Sequence, residues 1–168
     1  SKPIRNGHVI IENSRIISVR ALSNRDRDAI YLKGILLPGF INAHTHIELS
    51  GLEGLVEARY HGFGDWVERF GKAHRDYLSH KHAKKIEEEV RKLKRNGVIA
   101  VGDVSNYYNM PHILRHKGIG GIVFRQYIDG LGMKKVDIEE IGNGGDIQVS
   151  LSPHSLYNCS KQLIERII

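Results

Sequence analysis

From residue 40 onward the chain alternates short β-branched apolar runs with stretches of helical period, and this constrains the fold more than anything else in the sequence. Residues 40–43 (FINA), 98–101 (VIAV), 122–128 (IVFRQYI) and 147–151 (IQVSL) read as four strands. The first of these is expected to be a buried strand ending at His44. Between them, residues 65–78 place Trp66, Phe70 and Tyr77 on one side of a helix. Residues 83–95 predict a second helix, stopped by Asn96-Gly97 as a C-cap. Residues 110–116 read as a short third helix, and 136–141 as a weak fourth before a glycine-rich loop at 142–145. Strands separated by helices imply parallel βα units and an α/β fold.

The first 37 residues follow a different rule. Residues 8–12 (HVIIE), 15–19 (RIISV) and 29–32 (AIYL) are short β-branched runs, and Asn13-Ser14 between the first two signals a hairpin. The expected organisation is a small β-module over residues 1–37, followed by the βα units over 38–168.

Charge excludes less than it first suggests. The 25 lysines and arginines outnumber the 19 acidic residues, for a net charge of +6, but opposite signs are interleaved at helical spacing, as in residues 81–94 (KHAKKIEEEVRKLK). That is a solvated helix face, not a nucleic-acid footprint. No run approaches the roughly 18 apolar residues of a membrane span. The single cysteine, Cys159, permits no internal disulfide and reads as a packed thiol. A cytoplasmic protein without nucleic-acid or membrane partners is expected.

His44 and His46 flank Thr45 at the end of the first of the four strands. Alternation of side chains along a strand points both imidazoles the same way. Two neutral imidazoles suit zinc or iron(II). Residues 38–46 (PGFINAHTH) closely resemble the signature of the amidohydrolase superfamily, in which both histidines bind the catalytic metal at the end of the first strand of a TIM-type (β/α)8 barrel and a β-module precedes the barrel. Residues 152–160 (SPHSLYNCS) resemble the end of the fourth strand in the deaminase and chlorohydrolase branch, which makes His154 a substrate contact. That branch also fits the absence of lysine from residues 147–151, because the two-metal members carry a bridging carboxylated lysine there. The resemblance thus implies one divalent metal, zinc in first place and iron as the alternative, and a metal hydroxide that attacks an amidine-like ring carbon with loss of ammonia.

Finer similarity lies in residues 44–50 (HTHIELS) followed by Trp66, in 93–98 (LKRNGV) and in 102–106 (GDVSN). Together these resemble the adenosine and 6-aminodeoxyfutalosine deaminases of bacterial menaquinone biosynthesis. Guanine or cytosine deamination and triazine chlorohydrolysis are the alternatives within the superfamily. Glu48 either lies near the pocket mouth or is a surface or salt-bridged residue. Tyr107 and Tyr108 read as core or pocket-wall residues, and no ligand role falls to His61, His74, His80, His82, His112 or His116.

A complete barrel of this type takes about 250 residues, so 168 residues correspond to the N-terminal part, about strands one to four. The apolar face of residues 161–168 (KQLIERII), capped by Ser160, has no polar exit and reads as a cut chain. The family's remaining ligands and proton shuttle, expected on strands five, six and eight, have no counterpart here, and no catalytic residue is assigned. An isolated chain of this kind is expected to be inactive. The alternative from another class is a non-catalytic half-barrel module that assembles with itself or with a missing C-terminal half.

Overall fold

The computed structural model describes residues 2–21, 28–56, 61–78, 83–129 and 147–168. The predicted helix at 136–141, the loop at 142–145, His80, His82 and the Tyr77 side chain lie outside the described residues. The chain divides into two compact units, Ser1–Leu37 and Pro38–Ile168.

In the first unit, strands β1 (Gly7–Glu12) and β2 (Arg15–Ala21) form an antiparallel hairpin. Its two-residue turn, Asn13-Ser14, has both residues in the left-handed region, at φ 49° and 62°. That is the turn whose twist matches a hairpin, and asparagine tolerates it better than most residues. Residues 29–32 do not form the third extended run anticipated from composition. Ile30 and Leu32 are 89% and 74% exposed, and a β-branched run without a surface to pack against has little to hold it as a strand.

The second unit is a four-stranded sheet in the order β3 (Phe40–Thr45), β4 (Val98–Val104), β5 (Gly120–Tyr127), β6 (Ile147–Pro153), with every pairing parallel. A 3-10 turn (Ile47–Leu52) and helices α1 (Phe63–Leu78) and α2 (Ala83–Arg95) connect β3 to β4; α3 (Met110–Lys117) connects β4 to β5, and α4 (Lys161–Ile167) follows β6. The α/β reading of the sequence therefore holds. No helix among the described residues is long and apolar enough to cross a membrane.

The core forms where one face of α2 and α3 meets the sheet. Ile86 and Val90, one turn apart on α2, pack with Ile113 and Leu114 of α3 and with Val101, Val123 and Ile147 of three adjacent strands. Helix ends follow local chemistry. Gly97 closes α2 at φ 82°, and Gly118 closes α3 at φ 66°, with the following Ile119 N–H returning to the Leu114 carbonyl at 3.0 Å. Ser160 caps α4 by accepting from the Leu163 N–H at 3.0 Å. Asp129, just past β5, in turn accepts from the Ser160 N–H and hydroxyl, and those hydrogen bonds hold its carboxyl below the usual range.

Strand β3 is not buried as the sequence suggests. Phe40 and Ile41 are 54% and 69% exposed, because β3 pairs with β4 alone among the described strands. The two strands nonetheless approach closely. A Cβ at Gly102 would lie 2.4 Å from the Ala43 carbonyl oxygen, so only glycine fits there.

Candidate functional site

The carboxyl ends of parallel strands are where α/β folds gather functional groups, and the sequence-predicted residues all lie at that rim. His44 is the penultimate residue of β3, and His46 immediately precedes the 3-10 turn. Their rings meet edge to face with centroids 5.2 Å apart, as same-side projection from alternate positions requires. His44 is exposed and His46 half-buried. The His46 pKa is lowered, first by burial and then by repulsion from His44 and His154; Glu48 opposes the shift. A histidine so placed is neutral at physiological pH and offers a lone pair.

His154 follows β6, the other outer strand of the sheet, yet its charge bears on His46. Its backbone N–H reaches the Tyr127 carbonyl at 3.0 Å, which carries β5–β6 pairing past the end of the strand. Its exposed ring has Nδ1 at 2.6 Å from Asn158 Nδ2 and 3.1 Å from Ser155 Oγ, and meets Tyr157 edge on. With Asn158 as donor, Nδ1 accepts and the ring proton sits on Nε2, directed away from this local network.

Beneath the imidazoles lies a buried polar network that sequence reasoning missed. Asp103, fully buried near the end of β4, accepts from the Ile47 N–H at 2.8 Å, and among the described residues its Oδ2 has no partner. Burial pushes its pKa up to about 7, with Glu48 adding to the shift and the Ile47 N–H and Arg125 opposing it. Glu48 is not a surface residue, and among the described residues it forms no salt bridge. Only 8% exposed, it accepts from the Ser105 hydroxyl at 3.1 Å and from the Asn106 and Tyr107 N–H groups at 2.8 Å each.

Arg125 of β5 completes the arrangement by donating to the carbonyls of Ser105, Tyr107 and Tyr108 at 2.9–3.1 Å. The Asn106 side chain pairs in both directions with the Gln126 backbone, donating at 3.0 Å and accepting at 2.9 Å. The one available signal was a charged residue inside each of two apolar strands, VIAVGDV and GGIVFRQY, since a charge there must find partners.

Other expectations divide. Tyr107 packs against the core, whereas Tyr108 is 83% exposed and walls nothing among the described residues. Trp66 is half-buried in a ladder of stacked rings along α1 formed by Phe63, Trp66, Phe70 and His74. Cys159 is a buried thiol whose Sγ–H faces the Tyr127 carbonyl at 3.3 Å. His112 and His116 stack on each other along α3. Among the described residues no group of three or more histidines, cysteines or carboxylates is arranged to hold a metal, so His44 and His46 stand as a pair.

No protein-family model matches the chain. It is similar to the 5'-deoxyadenosine deaminase of Methanothermobacter thermautotrophicus, 28% identical over 96% of this chain and 41% of that protein. It is similar also to a 5-methylthioadenosine/S-adenosylhomocysteine deaminase of Bacillus cereus, 27% identical over 96% of this chain and 42% of the relative. Among solved structures, the Helicobacter pylori aminofutalosine deaminase in complex with methylthio-coformycin aligns with TM-score 0.63 at 21% identity, over 77% of this chain and 33% of its own. A Xanthomonas campestris adenosine deaminase with bound zinc aligns with TM-score 0.59 at 16% identity, over 77% and 32%. The chain spans about two-fifths of the length of these curated relatives, and its similarity in sequence and fold lies with the deaminase branch of the amidohydrolases.

Proposed function

We propose that this chain forms the N-terminal half of the barrel of a metal-dependent aminohydrolase that releases ammonia from a purine-type nucleoside. The observation that carries the reading is the pair of adjoining imidazoles at the carboxyl end of β3, one held neutral by burial and electrostatically coupled to His154, in a chain similar to nucleoside deaminases. His44 and His46 are the metal ligands and His154 is the substrate contact, offering Nε2–H to a polar atom of the ring or sugar.

The donor set fits one divalent ion, zinc in first place and iron as the alternative, because neutral imidazoles are borderline-soft ligands. A catalytic zinc takes three protein ligands and leaves one position open, so the pair described here is part of a set. When bound, such an ion polarises a water molecule for attack near neutral pH. The names of the relatives point to 5'-modified adenosines and aminofutalosine as the substrate class. One cysteine and a small-molecule substrate agree with the cytoplasm as the setting.

Ammonia release from adenosine, methylthioadenosine and aminodeoxyfutalosine by the zinc-loaded chain tests the reading. Turnover is expected to be absent from the chain alone and to appear when the C-terminal portion of a relative is supplied. Robust turnover by the chain alone would refute the half-barrel claim. A second reading, assembly of the half-barrel with another copy or with a missing half, is favoured by the exposed apolar residues Phe40, Ile41 and Ile99, 54–69% exposed, on and beside the outer strand. Mass in solution decides it: a monodisperse monomer rules out self-association.

A further inference from the structure

We infer that Asp103 and Glu48 are positioning residues for His46, two buried carboxylates that reach in opposite directions to fix the turn on which that imidazole rides. The inference rests on the reading of His44 and His46 as metal ligands. The 3-10 turn starts one residue after His46, so the Ile47 N–H is one of the first donors of a helical turn and has no partner within it. Asp103 Oδ1 satisfies it from β4 at 2.8 Å. Glu48, the next residue along, reaches the other way and ends on the Ser105 hydroxyl and the Asn106 and Tyr107 N–H groups beyond β4. The segment carrying His46 is thereby tied twice to the neighbouring strand, across sequence separations of 56 to 59 residues.

Asp103 and Ser105 are 0% and 1% exposed, and the second oxygen of Asp103 has no partner among the described residues. One acceptor is enough for the Ile47 N–H, and the second, unpaired oxygen adds a desolvation cost for which packing gives no reason. Precise placement of a ligand does give one. An imidazole holds a metal only as well as its backbone is held, and partners behind the ligands set metal affinity by about 10–100-fold.

The test is zinc affinity of the 168-residue chain, measured by competition with a chromophoric chelator for the parent and for Asp103→Ala, Asp103→Asn, His44→Ala and His46→Ala. Asp103→Ala is expected to weaken zinc binding about 10–100-fold, whereas Asp103→Asn, which keeps an acceptor for the Ile47 N–H, restores most of it. Leu163→Ala, a core change in α4, is expected to lower the melting temperature without moving zinc affinity. Should Asp103→Ala fail to fold, Asp103→Ser, one bond shorter and unable to make the same reach, carries the comparison with asparagine.

Parent-like affinity in the alanine or serine variant, with loss in His46→Ala, overturns the positioning role and leaves the metal reading standing. Parent-like affinity in both histidine variants overturns the metal reading and this inference with it.

Discussion

The rims of β4 and β6 both present groups at the carboxyl end of one sheet, but they are built in opposite ways. At β4 the network of Asp103, Glu48, Ser105 and Arg125 is buried or half-buried and stitched by contacts between residues 18 to 59 apart in sequence. At β6 the His154 ring is exposed, and the hydrogen bonds on it come from Ser155 and Asn158, one and four residues away. Long-range buried bonds fix a group against the whole fold, and local exposed ones leave it free to adjust with its own loop. That difference suits the roles proposed above, one rim fixing metal ligands and the other meeting a substrate.

The largest way to break the contrast is Asp103→Ala, which leaves a buried N–H unpaired. A loss of about 3 kcal/mol of unfolding free energy is expected, read by urea denaturation; a cost under about 0.5 kcal/mol, as for an ordinary surface change, would erase the distinction between the rims. The same residue sharpens it through pH. Its folded pKa of about 7 lies above the ordinary 3.8, so the folded state holds this proton more tightly than the unfolded one. Its contribution to stability is therefore full at low pH and falls as pH rises from about 4 through about 7. The stability of the parent relative to Asp103→Asn is expected to fall as the pH rises over that range, and a flat difference would refute the shift.

Next in size is Arg125→Met, which strips three carbonyls of a charged donor at the β4 rim and is expected to cost about 2 kcal/mol. Ser160→Ala, at the start of α4, removes one cap and should cost about 1 kcal/mol. Smallest is Asn158→Ala, expected to change stability by under about 0.5 kcal/mol while altering the histidine ring resonances of His154 by NMR. If Asn158→Ala destabilised as much as Arg125→Met, the β6 rim would be as rigidly built as the β4 rim.

Legibility in the sequence followed the same division. Residues 83–95 read correctly as a helix because apolar spacing, Asn96 and Gly97 are all local signals, and the Ser160 cap was visible for the same reason. The parallel strands were visible as apolar runs, and the histidine pair could be picked out because it sits in a contiguous motif. Residues 29–32 misled because their composition favours a strand only where a neighbouring surface receives them. The exposure of Phe40 and Ile41 depends on which strands flank β3, and the burial of Glu48 on groups at 105–107 that no local pattern links to it. Asp103 lies in the motif GDVSN, but its hydrogen-bond partner is an N–H 56 residues earlier.

The paired bonds between the Asn106 side chain and the Gln126 backbone have a consequence for how this rim tolerates change. The amide stands in for one more residue of strand, presenting a donor and an acceptor just where the main chain of β4 has turned away. The seam between β4 and β5 is therefore sealed by a side chain and not by the course of the loop. Replacements of the exposed Tyr108 side chain leave that seal in place, so the segment between β4 and α3 can vary there without unzipping the sheet beneath it.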